Sequence, residues 1–371
     1  MIIQSASLET GLVDEILLYV CERLQLTDTQ HADAVRSYQA VGEWLQAPGS
    51  PFYYVAPTIY PQGSMALGTT VKPRHREEFD LDLVLDLAGW SDGPLSLYQA
   101  TLDRLRSHRD YAARVEPLRR CIRLHYAGQF HLDVLPARRD LARGGTCIEV
   151  PDRTLGGWKP SNPKGFRGWF EVRSELRGLA RMEQEPVPGN GDARSKTALQ
   201  RAVQLLKRRR DVVFAPDADE APRSVLLTTL AGEAFKGSES TAVSLLAILE
   251  EIEDRIKAAW PGHLDVANPT NPDERFSEIW EREPGGYPAF VDYVRDFRER
   301  FAELLHRPGL ESVTRLVGEL FGEEVAQAAA RRVTERFRAA KDTGRLTLGT
   351  AGILASGPAG RQIRPHSFYG R

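Results

Sequence analysis

"PQGSMALGTTVKPRHREEFDLDLVLDL", residues 61–87, decides the fold. Its second half alternates between leucine and acid. Successive strand side chains point to opposite faces. Phe79, Leu81, Leu83, Leu85 and Leu87 therefore share one face, and Asp80, Asp82 and Asp86 share the other. The leucine face is a core face. The acidic face needs a reason, because acids are poor strand formers and costly beside a core. Asp80 and Asp82 lie about 6.6 Å apart along such a strand. Their carboxylates can converge on a space that takes two divalent ions about 3.5–4 Å apart. Without a cation the two acids would repel and raise each other's pKa. Mg²⁺, which prefers carboxylate oxygen, removes that cost. Asp86 lies about 13 Å beyond Asp82 and reads as a solvated strand-end residue, not a ligand.

A third acid extends the pattern. "QFHLDVL" (129–135) puts Phe130, Leu132 and Val134 on one side and His131 and Asp133 on the other. If this strand lies beside the first, Asp133 joins the same site. Upstream, Gly63-Ser64 stands between strand-like "APTIY" and the acidic strand. Glycine lets a backbone approach an anion, and turn amides with a serine hydroxyl can bind phosphate oxygens. This is no Walker A loop, because no Gly-Lys-Ser/Thr follows at that spacing. One acid on a strand is ordinarily a solvated edge. The Gly-Ser turn, the Asp-x-Asp strand and the later Asp133 strand together point to metal and phosphate.

The wider chain fits a soluble globular protein. It has 371 residues, 42% hydrophobic and 27% charged, with a formal net charge of −2. That charge argues against the global basic field of an obligate DNA binder. No apolar run reaches membrane-spanning length. The N-terminal "MIIQSASLETGL" lacks the features of a secretory signal. Cys21, Cys121 and Cys147 are scattered, without zinc or disulfide spacing, and suit free thiols in a reducing cytoplasm. The expected localisation is cytoplasmic.

Helical periodicity covers the first fifty residues, as in "LVDEILLYVCERL" and "HADAVRSYQAVGEWL". Short β-rich runs follow to about residue 148: "FYYVAPTIY", "FDLDLVLDL", "CIRLHYAGQFHLDVLPA" and "GTCIEVP". "LSLYQATLDRLRSH" is a helix among them. Beyond the polar "EQEPVPGNGDARSK" almost everything is helical, starting with Thr197 as an N-cap. The expected class is α+β with a mixed sheet. The expected organisation is a core with N-terminal helices over 1–180, a linker over 181–196, a helical domain over 197–345 and a surface tail over 346–371. The active site is expected in the cleft between the two halves.

Gly63-Ser64, Asp80-x-Asp82 and Asp133 resemble the polymerase-β-like nucleotidyltransferase superfamily. With "IYPQGSMALGTTVKP", "WKPSNPKGF", "LQRAVQLLKRRRDVVF", "SVLLTTLAGEAF" and "HSFYG", the chain is similar throughout its length to the bacterial cGAS/DncV-like nucleotidyltransferases, the CD-NTases. The resemblance implies an enzyme that condenses ribonucleoside triphosphates, ATP first among them, into cyclic di- or trinucleotides in CBASS anti-phage defence. It implies two Mg²⁺ ions, or Mn²⁺, on Asp80, Asp82 and Asp133. It also implies nucleotide contacts from Gln62, Gly63 and Ser64, and from Lys207 and Ser224 to the triphosphate tail. "WKPSNPKGF" reads as a loop lining the cleft, with Asn162 set to meet a base edge and Trp158 or Phe166 to stack.

Plainer readings stand beside these. Lys207 opens a basic run through Arg210 that would suit a solvated helix face, and Ser224 suits an N-cap. Asn162-Pro163 is a turn former. No Cys/His spacing supports a DNA-gripping zinc ribbon. In some relatives a HORMA-type activator binds, or a ubiquitin-transfer-like partner conjugates the C-terminus. Here the chain reads Gly370-Arg371, so Arg371 would first have to go. Two alternative functions remain: a linear nucleotidyltransferase acting on RNA ends or small molecules, and a non-catalytic nucleotide-binding protein.

Overall fold

The computed structural model describes residues 2–55, 57–74, 78–174, 189, 192–307, 309–343, 346–348, 354–356 and 361–362. Helices α1 (Ile2–Leu24) and α2 (Asp28–Gln46) come first. A capping box starts α2: Thr27 Oγ1 accepts from Gln30 N, and Gln30 Oε1 accepts from Thr27 N. The sheet region then runs β1 (Thr58–Gln62), α3 (Gly63–Ala66), β2 (Phe79–Asp86), α4 (Pro94–Arg106), β3 (Val115–Pro117), β4 (Ile122–Tyr126), β5 (Phe130–Arg139), β6 (Ile148–Asp152) and β7 (Gly157–Ser161). "FYYVAPTIY" is strand only from Thr58; Tyr53–Val55 is a 3₁₀ turn. "WKPSNPKGF" is not a loop. It is the end of β7 running straight into α5 (Pro163–Arg173).

The strand order is β1-β2-β5-β4-β3, with β6 paired to β5 and to β7. Only the β2–β5 pair is parallel, so the sheet is mixed. A parallel neighbour needs a crossover, and α4 with the β3–β4 hairpin supplies it.

The helical half holds α6 (Ala198–Val213), α7 (Ser224–Ala234), α8 (Thr241–Ala259), the hairpin β8 (Ala267–Asn268) and β9 (Asn271–Arg275), and α9 (Ile279–Arg282). It continues with α10 (Gly286–Leu305), α11 (Leu310–Phe321) and α12 (Glu323–Asp342). Thr197 caps α6 in a second capping box with Gln200. The expected tail contains three short strands, β10 (Leu346–Leu348), β11 (Leu354–Ser356) and β12 (Arg361–Gln362), in one small antiparallel sheet. "HSFYG" and Gly370-Arg371 lie outside the described residues, as do residues 181–188 of the expected linker.

Two main cores form. One packs α2 and α4 on the leucine face of the sheet, with Leu81, Leu83 and Leu85 at its centre. The other joins the helical half, and it includes Ile16, Leu17 and Val20 of α1 and Phe166 and Phe170 of α5. The first helix and α5 therefore pack with the helical half, which ties the two halves together across the cleft. No helix among the described residues is long and apolar enough to cross a membrane.

Asp86 differs from its expected solvated state. It is 1% exposed. The second face of the sheet is covered at this end by Tyr60, Val84, Ala137, Ile148 and Val150, because β6 folds back over β5. Arg139 Nε lies 2.9 Å from Asp86 Oδ2. Desolvation raises the Asp86 carboxyl, and the Arg139 guanidinium opposes that shift. Arg139→Ala would strand a buried carboxylate. Urea unfolding should show a loss of about 3 kcal/mol, toward the low end for a broken buried pair because the arginine is partly exposed.

Candidate active site

Pairing brings the predicted residues into rows across the sheet. Gln62 on β1 pairs with Asp82 on β2, which pairs with Asp133 on β5, which pairs with Arg123 on β4. Two residues away, Asp80 pairs with His131, and His131 with His125. A two-residue step keeps the same face, so both rows look out on one side. Asp80 is exposed, Asp82 half-buried and Asp133 buried.

Arg123, which the sequence reading missed, is the counter-charge. Its Nε and Nη2 donate to both oxygens of Asp133 at 2.7 and 2.8 Å, and Nη2 also reaches Asp80 Oδ1 at 3.1 Å. One guanidinium bonds two of the carboxylates and acts on the third, Asp82, through its charge alone. Desolvation, then the charges of Asp133 and Asp80, push Asp82 up to about 7. Desolvation also raises Asp80, with Arg123 opposing and Asp133 adding. Three hard oxygen donors short of positive charge fit a divalent cation such as Mg²⁺ or Mn²⁺. Asp80, Asp82 and Asp133 are the residues that would hold it.

The Gly-Ser turn is the first turn of α3, with Gln62 as its N-cap residue. Gly63 has φ +64°, and a Cβ there would lie 2.1 Å from Asp82 Oδ2. Only glycine allows this turn to close on that carboxylate. Thr69 N donates to Ser64 O at 2.9 Å, and Thr70 Oγ1 donates to Ser64 Oγ at 3.2 Å.

One face of α6, with Lys196 just ahead of its cap, holds this loop. Lys196 Nζ donates to Gly68 O, Gln200 Nε2 to Leu67 O, Gln204 Nε2 to Thr70 O, and Lys207 Nζ to Thr69 O and Oγ1. Residues 200, 204 and 207 form one helical stripe, and Lys196 lies before the helix begins. The helical spacing was readable in the sequence; the burial of the stripe was not. Lys207 is not on a solvated basic face; it is buried and lines the cavity. Arg208 and Arg209 are also buried, donating to Phe321 O and Glu319 O.

The cavity between the halves measures about 410 Å³. Gln62, Gly63, Ser64, Asp80, Asp82, Lys207 and Ser224 all line it. Ser224 is the first residue of α7, and its Oγ accepts from Arg210 Nη1. The far wall comes from Arg120, Lys159, Arg223 and the β8–β9 hairpin with Glu274. Glu274 accepts from Ser161 Oγ, Asn162 N and Asn268 Nδ2 at 2.7–2.9 Å, and burial raises its carboxyl. No periodic signal in "ANPTNPDERF" marked this wall.

Asn162 is corrected. It caps α5: its Oδ1 accepts from Gly165 N and Thr146 Oγ1, and its Nδ2 donates to Thr270 O and Oγ1. These bonds use both donors and both acceptor sites of the amide, so no group is left for a base edge. Trp158 is covered by Arg138, 4.1 Å above its ring. Phe166 lines the cavity while packing on Trp169 and Phe276.

Two outcomes follow from this geometry. Gly63→Ala forces Asp82 aside and strains a positive-φ residue. Steady-state kinetics should show kcat down by about 10²-fold, with about 1 kcal/mol or more of lost stability. For Lys207, desolvation and then Arg210 lower the amine to about 7. The unfolded chain then binds the extra proton from about pH 7 up to the ordinary lysine value near about 10.4. The ligand-free fold therefore gains stability as pH rises through that window. Lys207→Met should raise the ligand-free Tm most below about pH 7, and less as pH nears about 10. It should weaken triphosphate binding about 10–100-fold by titration calorimetry, the worth of a charged hydrogen bond.

Comparison with known proteins agrees with this arrangement. Residues 13–173 match the Second Messenger Oligonucleotide or Dinucleotide Synthetase domain, SMODS. A c-di-GMP synthase of Roseivirga ehrenbergii is 30% identical over 366 residues, covering 96% of this chain and 97% of the relative. The cyclic dinucleotide synthase CdnG of Bradyrhizobium diazoefficiens is 31% identical over 296 residues, covering 72% and 70%. The solved structure of the Bradyrhizobium CD-NTase CdnG in complex with GTP superposes with a TM-score of 0.73 at 26% identity, covering 86% of this chain and 97% of that one. Sequence, fold and site thus converge, and this chain belongs to the CD-NTase family as a nucleotidyltransferase that synthesises cyclic oligonucleotides.

Proposed function

We propose that the product is a guanine-containing cyclic dinucleotide made from GTP with release of pyrophosphate, and that it signals in CBASS anti-phage defence. The observation that carries the chemistry is the paired row Gln62–Asp82–Asp133, closed on one side by Gly63-Ser64. The Gly63-Ser64 turn and Ser224 offer donors to a triphosphate, and Lys207 offers a charge. Asp133, both of whose oxygens accept from Arg123, would accept the proton of the attacking hydroxyl on exchanging one of those bonds. That hydroxyl forms a bond to the α-phosphorus of the second nucleotide, and the α–β phosphoanhydride breaks. Asp80, Asp82 and Asp133 would hold a divalent pair, which would supply Lewis acidity to the leaving pyrophosphate and to the attacking hydroxyl.

Guanine replaces the adenine first expected for two reasons. The two curated relatives are a c-di-GMP synthase and CdnG, and CdnG was solved with GTP. The cavity wall also sets acceptor-only carboxylates, Glu274 and Glu278, beside Arg120 and Arg223. Guanine presents adjacent N–H donors that a carboxylate can take and O6/N7 acceptors that arginine can take. The test is purified protein with each ribonucleotide, alone and mixed, and Mg²⁺ or Mn²⁺, read by mass spectrometry. GTP alone should give a phosphatase-resistant cyclic product, reduced about 10²-fold or more in Asp80→Asn with Asp82→Asn. A product lacking guanine would sink the base assignment, and only linear products would sink cyclisation. Loss of phage protection in the same double variant checks the defence role.

A further inference from the structure

We propose that Glu78, His125 and His131 form a transition-metal site, separate from the three catalytic acids, that sets Asp80 through His131. Among the described residues this is the one cluster of three His, Cys or acidic side chains whose ligand atoms gather, each within 4.8 Å of the others. The sheet builds it. His125, His131 and Asp80 are direct partners across β4, β5 and β2. Glu78 stands two residues before Asp80, at the mouth of β2.

The carboxylate of Glu78 is held for a ligand role. Its Oε1 accepts from Gly128 N at 2.6 Å. Its Oε2 is buried and lies 2.5 Å from His131 Nε2. In the absence of metal the two groups meet directly; a cation bound between them and His125 would take the place of that contact, with both atoms turning to it. His125 meets His131 edge-on, with ring centroids 4.9 Å apart at 83°. Glu116 Oε2 lies 2.8 Å from His125 Nε2 and steadies that ring. The three ligand residues are partly buried.

Two imidazoles and one carboxylate are a donor set for zinc-class ions, not for Mg²⁺, which takes all-oxygen sites. Three protein ligands leave a fourth position for water. The link to catalysis is the other nitrogen of His131. Its Nδ1 lies 3.4 Å from Asp80 Oδ1. With a cation on Nε2, the neutral ring carries its proton on Nδ1, facing that carboxylate. Loading this site therefore orients the first catalytic acid, much as a carboxylate orients a ligating histidine.

The test uses full-length protein stripped by chelator and dialysed against Co²⁺ or Zn²⁺. Metal content is read by mass spectrometry and cobalt d–d absorption. Asp82→Asn should keep a single tight equivalent. His125→Ala and Glu78→Gln should each lose it, weakening binding beyond the about 10–100-fold typical of outer-shell changes. Unchanged circular dichroism of the metal-free variants separates this loss from misfolding, and two independent variants guard against one failing to fold. Retention in both variants, loss in Asp82→Asn, or no tight equivalent in the wild type would each overturn the site. Zinc loading should also shift the half-saturating Mg²⁺ for product formation in the wild type but not in His125→Ala. No shift would overturn the link to Asp80.

Discussion

The parallel pairing of β2 with β5 is the constraint on which the site depends. It places Asp82 directly beside Asp133 and Asp80 beside His131. A register slip of one residue would turn every acid toward the leucine core and every leucine toward the cleft. The core prevents that slip, because Leu81, Leu83, Leu85, Leu132 and Val134 are all fully buried on the other face. The hydrophobic effect thus sets the position of the carboxylates, although none of them contributes to it. The acids can be packed this tightly because Arg123 arrives in register on the next strand.

The second constraint is the attachment of the phosphate loop to α6. The loop over residues 63–70 has almost no secondary structure beyond one helical turn. Its carbonyls are satisfied instead by Lys196, Gln200, Gln204 and Lys207. α6 belongs to the helical half, and the loop belongs to the sheet half. Any motion that opens the cleft must strain or break these bonds. Nucleotide grip and the relative position of the two halves are therefore one mechanical quantity. α1 and α5, packed with the helical half, reinforce the link.

How much of this was legible follows from which interactions are local in sequence. Asp80, Asp82 and Asp133 could be read because strand alternation needs only neighbouring residues. Thr197 as a cap was equally local. Asp86 was misread because its cover comes from Ile148 and Val150, more than sixty residues away, and alternation says nothing about a second buried face. Asn162 looked like a base reader because its amide chemistry suits both roles. Only the positions of Thr146 and Thr270 decide between them. Arg123 hid because "CIRLHY" reads as an ordinary strand until its partner is known. The α6 stripe of 200, 204 and 207 is regular in sequence, but polar residues at helical spacing read as a solvated face until the loop they hold is known.

Charge explains why phosphate and cation must arrive together. The three acids hold one arginine between them, and Lys207 sits on the loop that faces them. Metal alone would reduce the field that Lys207 feels from Asp82, leaving a buried amine with less reason to be charged. A triphosphate alone would bring more negative charge to carboxylates already held high by desolvation and mutual repulsion. Each ligand removes the penalty that opposes the other. That is a coupling free energy between two adjacent sites, and by linkage it acts equally in both directions. Gly63, whose missing Cβ lets the loop touch Asp82, is where the two sites meet.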